Sequence, residues 1–460
     1  MKLRASIEAG EILDGYVVGE RLHSGAMGVI HRVTREGAPF PMAMKVPLLG
    51  KGQDATGLLG FETEAMILPA LHGRHVPRFV AAGALADVPY LVMEWIEGES
   101  LAAQANRNPR PAEEVASIGA AIAEALHELH HQGAIHLDLK PENVLLRANG
   151  EAVLIDFGLA HHERFPDLLA EEKRFLAGSA PYIAPEPARG VRHDPRSDLF
   201  SLGVLLYELA TGRFPFGTPL TLAGLRDRLW MDPAPPSQHA KVPPWLQEII
   251  LRCLEPDPEE RYQSAAHVSL DLRNPDLVRL TERAVKSSQA GFLRQTVRWW
   301  KGRDIEAASA RRAGAAQSQA RVVMVAVDTR HEDDDRHPAL QQAVARILAA
   351  TPQTRLLFVS VVPIVLGEAG IPQLEHRVRL RAWTKRFALP PHSHSMHVLE
   401  SASPAAALLE FARINLVDLI VLGAPGPEAP FAWWRSTAST VASQAACSVY
   451  MVRAGGATAA

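Results

Sequence analysis

Two short motifs near the middle of the chain carry side chains suited to catalysis. The first is His136-Leu137-Asp138-Leu139-Lys140-Pro141-Glu142-Asn143, and the second, Asp156-Phe157-Gly158, places its acid eighteen residues after Asp138. Phosphoryl transfer needs a carboxylate that orients the incoming hydroxyl, a lysine that neutralises the moving group, and an amide and an acid that hold a metal ion. A capping Asp in a turn beside a solvated lysine is the alternative, but the order and spacing of both motifs favour phosphoryl transfer.

Three blocks of the chain would position these side chains. From about Tyr16 to Glu97, short apolar runs separated by Gly or Pro predict strands around one helix, Phe61–Leu71. From Pro111 to about Leu272, apolar residues recur at three- and four-residue spacing and predict helices. We expect two lobes with a cleft between them. From Arg321 onward, continuous apolar strands alternate with helices, which predicts a parallel sheet covered on both faces.

Residues 273–320 separate the second block from the third. They contain ten Lys or Arg against four Asp or Glu and end in the small, polar run AASARRAGAAQSQA. This composition predicts a basic, partly helical segment followed by a flexible linker. A helix packed on the preceding block with a solvated basic face is one interpretation, and a membrane or partner surface is the other.

Composition limits the classes of protein to consider. The 460 residues exceed one ordinary domain, and a net charge of -3 gives no overall attraction to nucleic acid or to an anionic membrane. The two cysteines, Cys253 and Cys447, cannot build a disulfide framework or a clustered thiolate metal site. No segment has the apolar length of a signal peptide or a membrane helix. We therefore expect a cytoplasmic protein with no membrane span and no nucleic-acid partner.

From about Tyr16 to Arg261 the chain resembles the eukaryotic-type protein kinase family, in its bacterial branch. The resemblance implies a bilobal α+β protein kinase fold, protein substrates phosphorylated on serine or threonine, ATP as donor, and Mg²⁺ or Mn²⁺ as the metal. It assigns catalytic roles to four residues: Asp138 as base, Lys140 at the γ-phosphate, Lys45 at the α- and β-phosphates, and Glu64 as the ion-pair partner of Lys45. It assigns metal binding to Asn143 and Asp156.

The same resemblance implies a nucleotide cleft. The glycine-rich loop is Leu22–Ile30, in which Gly25 and Gly28 let backbone N–H groups approach phosphate, while His23 replaces the family's first glycine. We expect this replacement to weaken ATP binding without abolishing it. The adenine pocket is expected to contain Leu22, Ile30, Ala43 and Leu145, with Met93 as gatekeeper and with Glu94 and Ile96 in the hinge.

Three further positions match structural residues of the family. Glu186 ends the activation segment, Asp198 holds the catalytic-loop backbone from a helix, and Arg261 pairs with Glu186. We expect no chemical task for them. Their presence predicts an intact helical lobe.

One departure from the family pattern concerns regulation. Leu137 stands where an arginine commonly clamps an activation-segment phosphate, and residues 159–177 contain no Ser, Thr or Tyr. We hypothesise that the segment is held by packing, or by salt bridges from Glu171 or Glu172, and needs no phosphorylation. Ser179 stands near the expected substrate hydroxyl, which suits a serine/threonine preference.

Residues 321–453 resemble the universal stress protein family, which implies a Rossmann-like α/β domain. Its expected nucleotide-contacting residues are Asp328, Gly423, Gly426, Ser436 and Thr437, although an alignment on Val441 and Cys447 would select Arg435 and Ser436 instead. The family's third glycine is absent in either alignment. A second nucleotide and a nucleotide-free role in sensing or as a homodimer both remain open. The acidic run 333–335 and the histidines His392, His394 and His397 are expected in solvated loops.

These inferences predict a kinase domain at 12–272, with lobes at about 12–97 and 98–272, then the basic linker at 273–320 and the second domain at 321–455. An active kinase linked to stress or energy signalling is the favoured interpretation. A pseudokinase that senses nucleotide is the second, and only His23 and Leu137 support it. A small-molecule phosphotransferase is the third, and the activation segment ending at Glu186 disfavours it.

Overall fold

The structure is a computed structural model. It describes residues 7–25, 28–47, 55–83, 89–172, 179–218, 228, 231–288, 321–330, 336–351, 354–363, 371–387, 389, 393–424 and 436–453. Three regions follow one another along the chain, and they correspond to the three blocks of the sequence.

The first region is an antiparallel sheet with one helix. Its strands are β1 (Ile12–Leu13), β2 (Tyr16–Gly25), β3 (Gly28–Thr34), β4 (Met42–Val46), β5 (Phe79–Ala82) and β6 (Leu91–Glu94), in the order β1-β2-β3-β4-β6-β5. Alternation along β2 and β3 buries Tyr16, Val18 and Val33 on one face. Helix α1 (Ala55–Ile67) begins six residues earlier than predicted, because the glycines in its first half do not interrupt it, and Leu59 between them is buried against Leu168 and Leu169.

The second region is mainly helical. Its helices are α2 (Ala112–His131), α3 (Leu168–Glu171), α4 (Arg196–Thr211), α5 (Pro244–Cys253) and α6 (Ala265–Arg273). Its strands are β7 (Glu99–Ser100), β8 (Ala134–Ile135), β9 (Val144–Leu146), β10 (Ala152–Leu154) and β11 (His161–His162). Short 3₁₀ turns occupy Leu68–Ala70, Ala102–Arg107, Pro141–Asn143, Pro187–Arg189, Pro236–Gln238, Pro258–Glu260 and Pro275–Leu277. Helix α4 is buried on nearly every face and forms the centre of the core with α2.

The third region is a five-stranded, all-parallel sheet with helices on both faces. The strands are β12 (Val322–Ala326), β13 (Arg355–Val362), β14 (His394–Glu400), β15 (Leu419–Ala424) and β16 (Ser448–Arg453), in the order β14-β13-β12-β15-β16. The helices are α7 (Arg336–Ala350), α8 (Ile371–Thr384), α9 (Pro404–Ile414) and α10 (Thr437–Gln444). Helices α7 and α8 pack on one face of the sheet, and α9 and α10 pack on the other.

Two histidines of the third region lie in a strand and not in the loops that were predicted. The expectation that His394 and His397 lie in solvated loops is wrong, because both are in strand β14 and His397 has no solvent exposure. Gly426, His392 and the acidic run 333–335 lie outside the described residues. No helix in the described part of the chain is long and apolar enough to cross a bilayer.

Candidate active site

A buried ion cluster joins the first region to the second. The Lys45 ammonium, on β4, lies 2.5 Å from Glu64 Oε2 on α1 and 2.8 Å from Asp156 Oδ1. The second Glu64 oxygen accepts the backbone N–H of Phe157 at 3.3 Å. Helix α1 is thereby tied both to the sheet and to the Asp156-Phe157-Gly158 motif, so the lysine and this acid share one site.

The electrostatics of this cluster keep the lysine charged. Burial alone would lower the pKa of Lys45, but the carboxylates of Asp156 and Glu64 outweigh it and raise the pKa well above its ordinary value. Burial likewise opposes ionisation of Asp156, and the adjacent Lys45 charge overcomes this and lowers its pKa. The cluster therefore presents a permanent cation on a flexible stem, which suits contact with phosphate oxygens.

The catalytic loop concentrates polar groups on the carboxylate of Asp138. Lys140 Nζ donates to Oδ2 at 2.7 Å, and the Asn143 amide donates to the same oxygen at 3.0 Å. The Ser179 backbone N–H donates to Oδ1 at 3.1 Å. Both carboxylate oxygens of Asp138, which is 4% exposed, are thus held in a fixed orientation. The hydrogen bond from Ser179 also attaches the segment that starts at this serine to Asp138.

Asp198 holds the backbone that carries Asp138. This fully buried acid on α4 accepts the N–H of His136 at 2.9 Å and that of Leu137 at 2.8 Å, and it contacts His130 Nε2 at 2.9 Å. Leu137 has φ of 60°, a left-handed conformation that costs a branched residue roughly 1–2 kcal/mol. The paired hydrogen bonds to the aspartate hold this strained turn in place, as the sequence predicted for this position.

Asn143 and Asp156 lie on neighbouring segments, and both side chains carry oxygen atoms. The Ile155 N–H donates to the Asn143 carbonyl at 3.0 Å, which brings the two segments side by side. Because the Asn143 amide nitrogen donates to both the backbone and the side chain of Asp138, its amide oxygen is left as the ligand atom. A carboxylate and an amide oxygen fit a hard cation such as Mg²⁺. Among the described residues there is no cluster of three or more His, Cys, Asp or Glu that would suit another metal.

The predicted glycine-rich turn, between β2 and β3, belongs to the same sheet as Lys45. Gly25 pairs with Gly28 across the β2–β3 turn, and a Cβ on Gly28 would lie 2.5 Å from the Val46 carbonyl oxygen. Backbone therefore approaches backbone more closely here than any side chain allows. The His23 ring lies beside Gly25, 3.0 Å from where a Cβ would be. At this replaced position β2 and β3 remain paired through His23 and Ile30, with an irregular register between Arg21 and His23.

Apolar side chains surround the adenine position that the sequence predicted. Ile30 pairs with Lys45, and Ala43 pairs with Met93 in the sheet register. Ala43 and Ile96 are buried, whereas the other five are half-buried, as expected for residues lining an open cleft: Leu22, Ile30, Met93, Glu94 and Leu145. The strands bring Leu22, Ile30, Ala43, Met93 and Glu94 to the sheet that carries Lys45, whereas Ile96 follows β6 and Leu145 lies on β9 of the second region.

The activation segment has anchors that sequence reasoning missed. The Arg192 guanidinium donates to Asp167 Oδ2 at 2.8 Å and to the Leu159 carbonyl at 2.8 Å. The arginine keeps the pKa of Asp167 far below its ordinary value although burial opposes this. The sequence of Gly190–Pro195 contains no motif that predicts the contact of Arg192 with Asp167. The predicted pair is also present, since fully buried Arg261 lies 2.5 Å from Glu186.

The C-terminal domain has a cavity of its own at the carboxyl edge of its parallel sheet. Its lining includes Asp328, Gly423, Ser436 and Thr437. Asp328 forms an ion pair with Arg330 at 2.6 Å, and Ser436 caps helix α10 by accepting the N–H of Ser439 at 3.1 Å. Four of the five predicted residues thus surround one cavity, and the fifth, Gly426, is not described.

Two protein families match different parts of the chain. Residues 16–271 match the protein kinase domain family, and residues 319–453 match the universal stress protein family. The serine/threonine-protein kinase PknB of Mycolicibacterium smegmatis is 33% identical over 265 residues, which cover 56% of this chain and 42% of the relative. A probable serine/threonine-protein kinase of Clostridium perfringens is 35% identical over 215 residues, which cover 46% of this chain and 31% of the relative. The chain therefore spans less than half the length of these curated relatives.

Among solved structures, the kinase domain of Mycobacterium tuberculosis PknI is 24% identical, with a TM-score of 0.47, and the match covers 58% of this chain and 99% of that one. The protein kinase match over residues 16–271 spans more than half of the chain and contains both the Asp138 motif and the Asp156 motif. The chain belongs to the protein kinase domain family.

Proposed function

We propose that the chain is a serine/threonine protein kinase that transfers the γ-phosphoryl group of ATP to a hydroxyl of a protein substrate. One observation carries the proposal: Lys45 bridges Glu64 and Asp156 while Lys140 and Asn143 converge on the carboxylate of Asp138. In the alternative interpretation, a solvated lysine beside a capping aspartate in a turn, these side chains would not share buried partners. The relatives named as serine/threonine-protein kinases support the same class of reaction.

Each residue would have a defined task in this reaction. Asp138 would accept the hydrogen bond of the substrate hydroxyl and orient its oxygen, since the Ser179 N–H and Lys140 fix both carboxylate oxygens. Lys140 would neutralise charge on the moving phosphoryl group, and Lys45 would hold the α- and β-phosphates. Asn143 and Asp156 would hold a Mg²⁺ or Mn²⁺ ion, which would supply positive charge against the phosphate oxygens.

Radiolabelled ATP with a generic basic acceptor protein tests the proposal. We expect label on the acceptor with the parent chain and a fall of at least about 100-fold for Asp138→Asn, because a positioned base usually contributes 10²–10⁴-fold. Absence of label with the parent chain would favour a pseudokinase that senses nucleotide. Equal rates for parent and variant would remove Asp138 from the reaction.

We propose a second nucleotide site in a Rossmann-like C-terminal domain, which would occupy residues 321–455 and follow a kinase domain at 12–272 and a linker at 273–320. The cavity beside Asp328, Gly423, Ser436 and Thr437 supports this proposal. Binding there would connect the kinase to stress or energy signalling. Equilibrium dialysis is expected to give two equivalents of ATP per chain. One equivalent, together with dimers in analytical ultracentrifugation, would instead favour a nucleotide-free domain that forms a homodimer.

A further inference from the structure

Six charged side chains from the two domains meet in one cluster, which we call the interdomain cluster. The kinase contributes Glu62 from helix α1, with Glu171 and Glu172 from the end of helix α3. The C-terminal domain contributes Arg355 from β13, Arg377 from α8 and His397 from β14. Among the described residues of this cluster, three acids therefore face three bases. None of these six side chains has a chemical step assigned to it in the proposed phosphoryl transfer.

His397 is the centre of this cluster. Its Nε2 lies 2.7 Å from Glu171 Oε2, and its Nδ1 lies 2.9 Å from Glu172 Oε1. A carboxylate at each ring nitrogen requires a proton on both, and hence a charged imidazolium. Ser395 Oγ at 3.1 Å and the Phe411 ring, whose centre is 4.9 Å away, complete the surroundings of a side chain with no exposure. A buried cation of this kind persists only with its partners in place.

The two arginines extend the contact on either side. Arg377 donates from Nε to Glu62 Oε1 at 2.8 Å, contacts the second Glu62 oxygen, and lies 4.0 Å from Glu172. Arg355 forms an ion pair with Glu171. The Asn415 amide also donates to the Glu171 backbone carbonyl at 3.2 Å. Main chain and side chain of the same kinase residue are thus both held by the C-terminal domain.

The kinase residues of the cluster lie next to the elements that position the active site. Glu62 is two residues from Glu64, the partner of Lys45, on helix α1. Leu168 and Leu169 of helix α3 pack against Leu59 of α1, so the two helices form one unit. Moving either helix away from the C-terminal domain would therefore disturb the geometry of Lys45.

We propose that the C-terminal domain is a docking partner of the kinase, and that the interdomain cluster holds helices α1 and α3 in the arrangement that pairs Lys45 with Glu64. Residues 62, 171, 172, 355, 377 and 397 are then positioning residues for the phosphoryl transfer proposed above, on which this inference rests. Charge balance favours the docked state, because removing one member leaves its partner charged and buried.

The experiment compares phosphoryl transfer by the full-length chain and its variants Glu62→Gln, Arg377→Gln and the double variant. We expect each single change to lower the rate about tenfold, within the factor of about 5–150 that coupled sites usually show. The double variant should be no slower than the slower single variant, since the pair acts as a unit. Arg413→Gln, a 66% exposed arginine paired with Glu410 on α9, is the matched control and should keep the parent rate.

Hydrogen exchange gives a second measurement that does not depend on activity. Amides of helices α1 and α3 should exchange faster in both single variants and at the parent rate in Arg413→Gln. The proposal would be overturned if amide exchange in the variants were unchanged. It would also be overturned if their rates of phosphoryl transfer were higher than the parent rate or within about twofold of it. If the parent chain labels no acceptor, the proposed kinase activity fails, while exchange still decides whether the domains dock.

Discussion

Replacing Asp198 by asparagine tests how the catalytic loop is held. The carboxylate accepts backbone N–H groups from His136 and Leu137 with separate oxygens. An asparagine keeps one acceptor oxygen, so its NH₂ group must face one of these N–H groups. The change alters no volume, and any effect therefore comes from hydrogen bonding and charge in a site with no solvent exposure.

The size of the effect follows from the bonds that are lost. One buried N–H without a partner costs about 1–3 kcal/mol, and loss of charge weakens the two remaining contacts by about 1 kcal/mol each. Together these give roughly 3–5 kcal/mol of stability. Because Leu137 is already strained at φ of 60°, the loop should relax and move Asp138. A displacement of about 1 Å can reduce the rate on the order of 100-fold.

Urea unfolding and the rate of label transfer measure the two consequences separately. With a denaturant slope of about 1–3 kcal/mol per molar, the midpoint should fall by at least about 1 M. Asp276→Asn, in an exposed turn, is the matched control and should stay within about 0.5 kcal/mol of the parent chain. A variant with the parent midpoint and the parent rate would refute the argument that Asp198 holds the loop.

Two further predictions concern buried charges. Arg261→Met should destabilise the chain by about 3–5 kcal/mol in urea unfolding, because Glu186 is left buried without its cation, and an unchanged midpoint would contradict this. The pKa of His397 is raised because its two glutamates outweigh burial, so its contribution to docking is complete below its ordinary pKa of 6.5 and is lost as pH rises through the raised value. The pKa of Glu171 is lowered because His397 and Arg355 outweigh burial, and its contribution is lost when pH falls from its ordinary value of 4.5 through the lowered one. Hydrogen exchange in helix α3, corrected for the intrinsic effect of pH, should therefore show the strongest protection between these limits, and a flat profile would argue against a charged His397.

Local motifs made the active site predictable from the sequence. Two of the groups around Asp138 lie within five residues of it, so a short loop brings Lys140 and Asn143 to the same carboxylate. The sheet of the first region was also predicted in kind, from short apolar runs separated by Gly or Pro. The hypothesis that the activation segment needs no phosphate remains a prediction.

Contacts between distant segments could not be predicted in the same way. His397 lies in a histidine-rich, polar-looking stretch, and its burial depends on carboxylates 225 and 226 residues away. Helix α8 carries three arginines among its fourteen residues, so apolar periodicity gives little signal there. The suggestion that Glu171 or Glu172 forms salt bridges was correct in kind, but nothing in the sequence indicated that the partners belong to the other domain.

The separation of 225 residues between Glu172 and His397 has a consequence for synthesis of the protein. At the usual translation speed of about 5–20 residues per second, the acidic surface leaves the ribosome roughly 10 to 45 s before the strand that covers it. During this interval Glu62, Glu171 and Glu172 lack the partners that the second domain will supply. On the proposed docking, the arrangement that pairs Lys45 with Glu64 would be completed only after synthesis of the second domain.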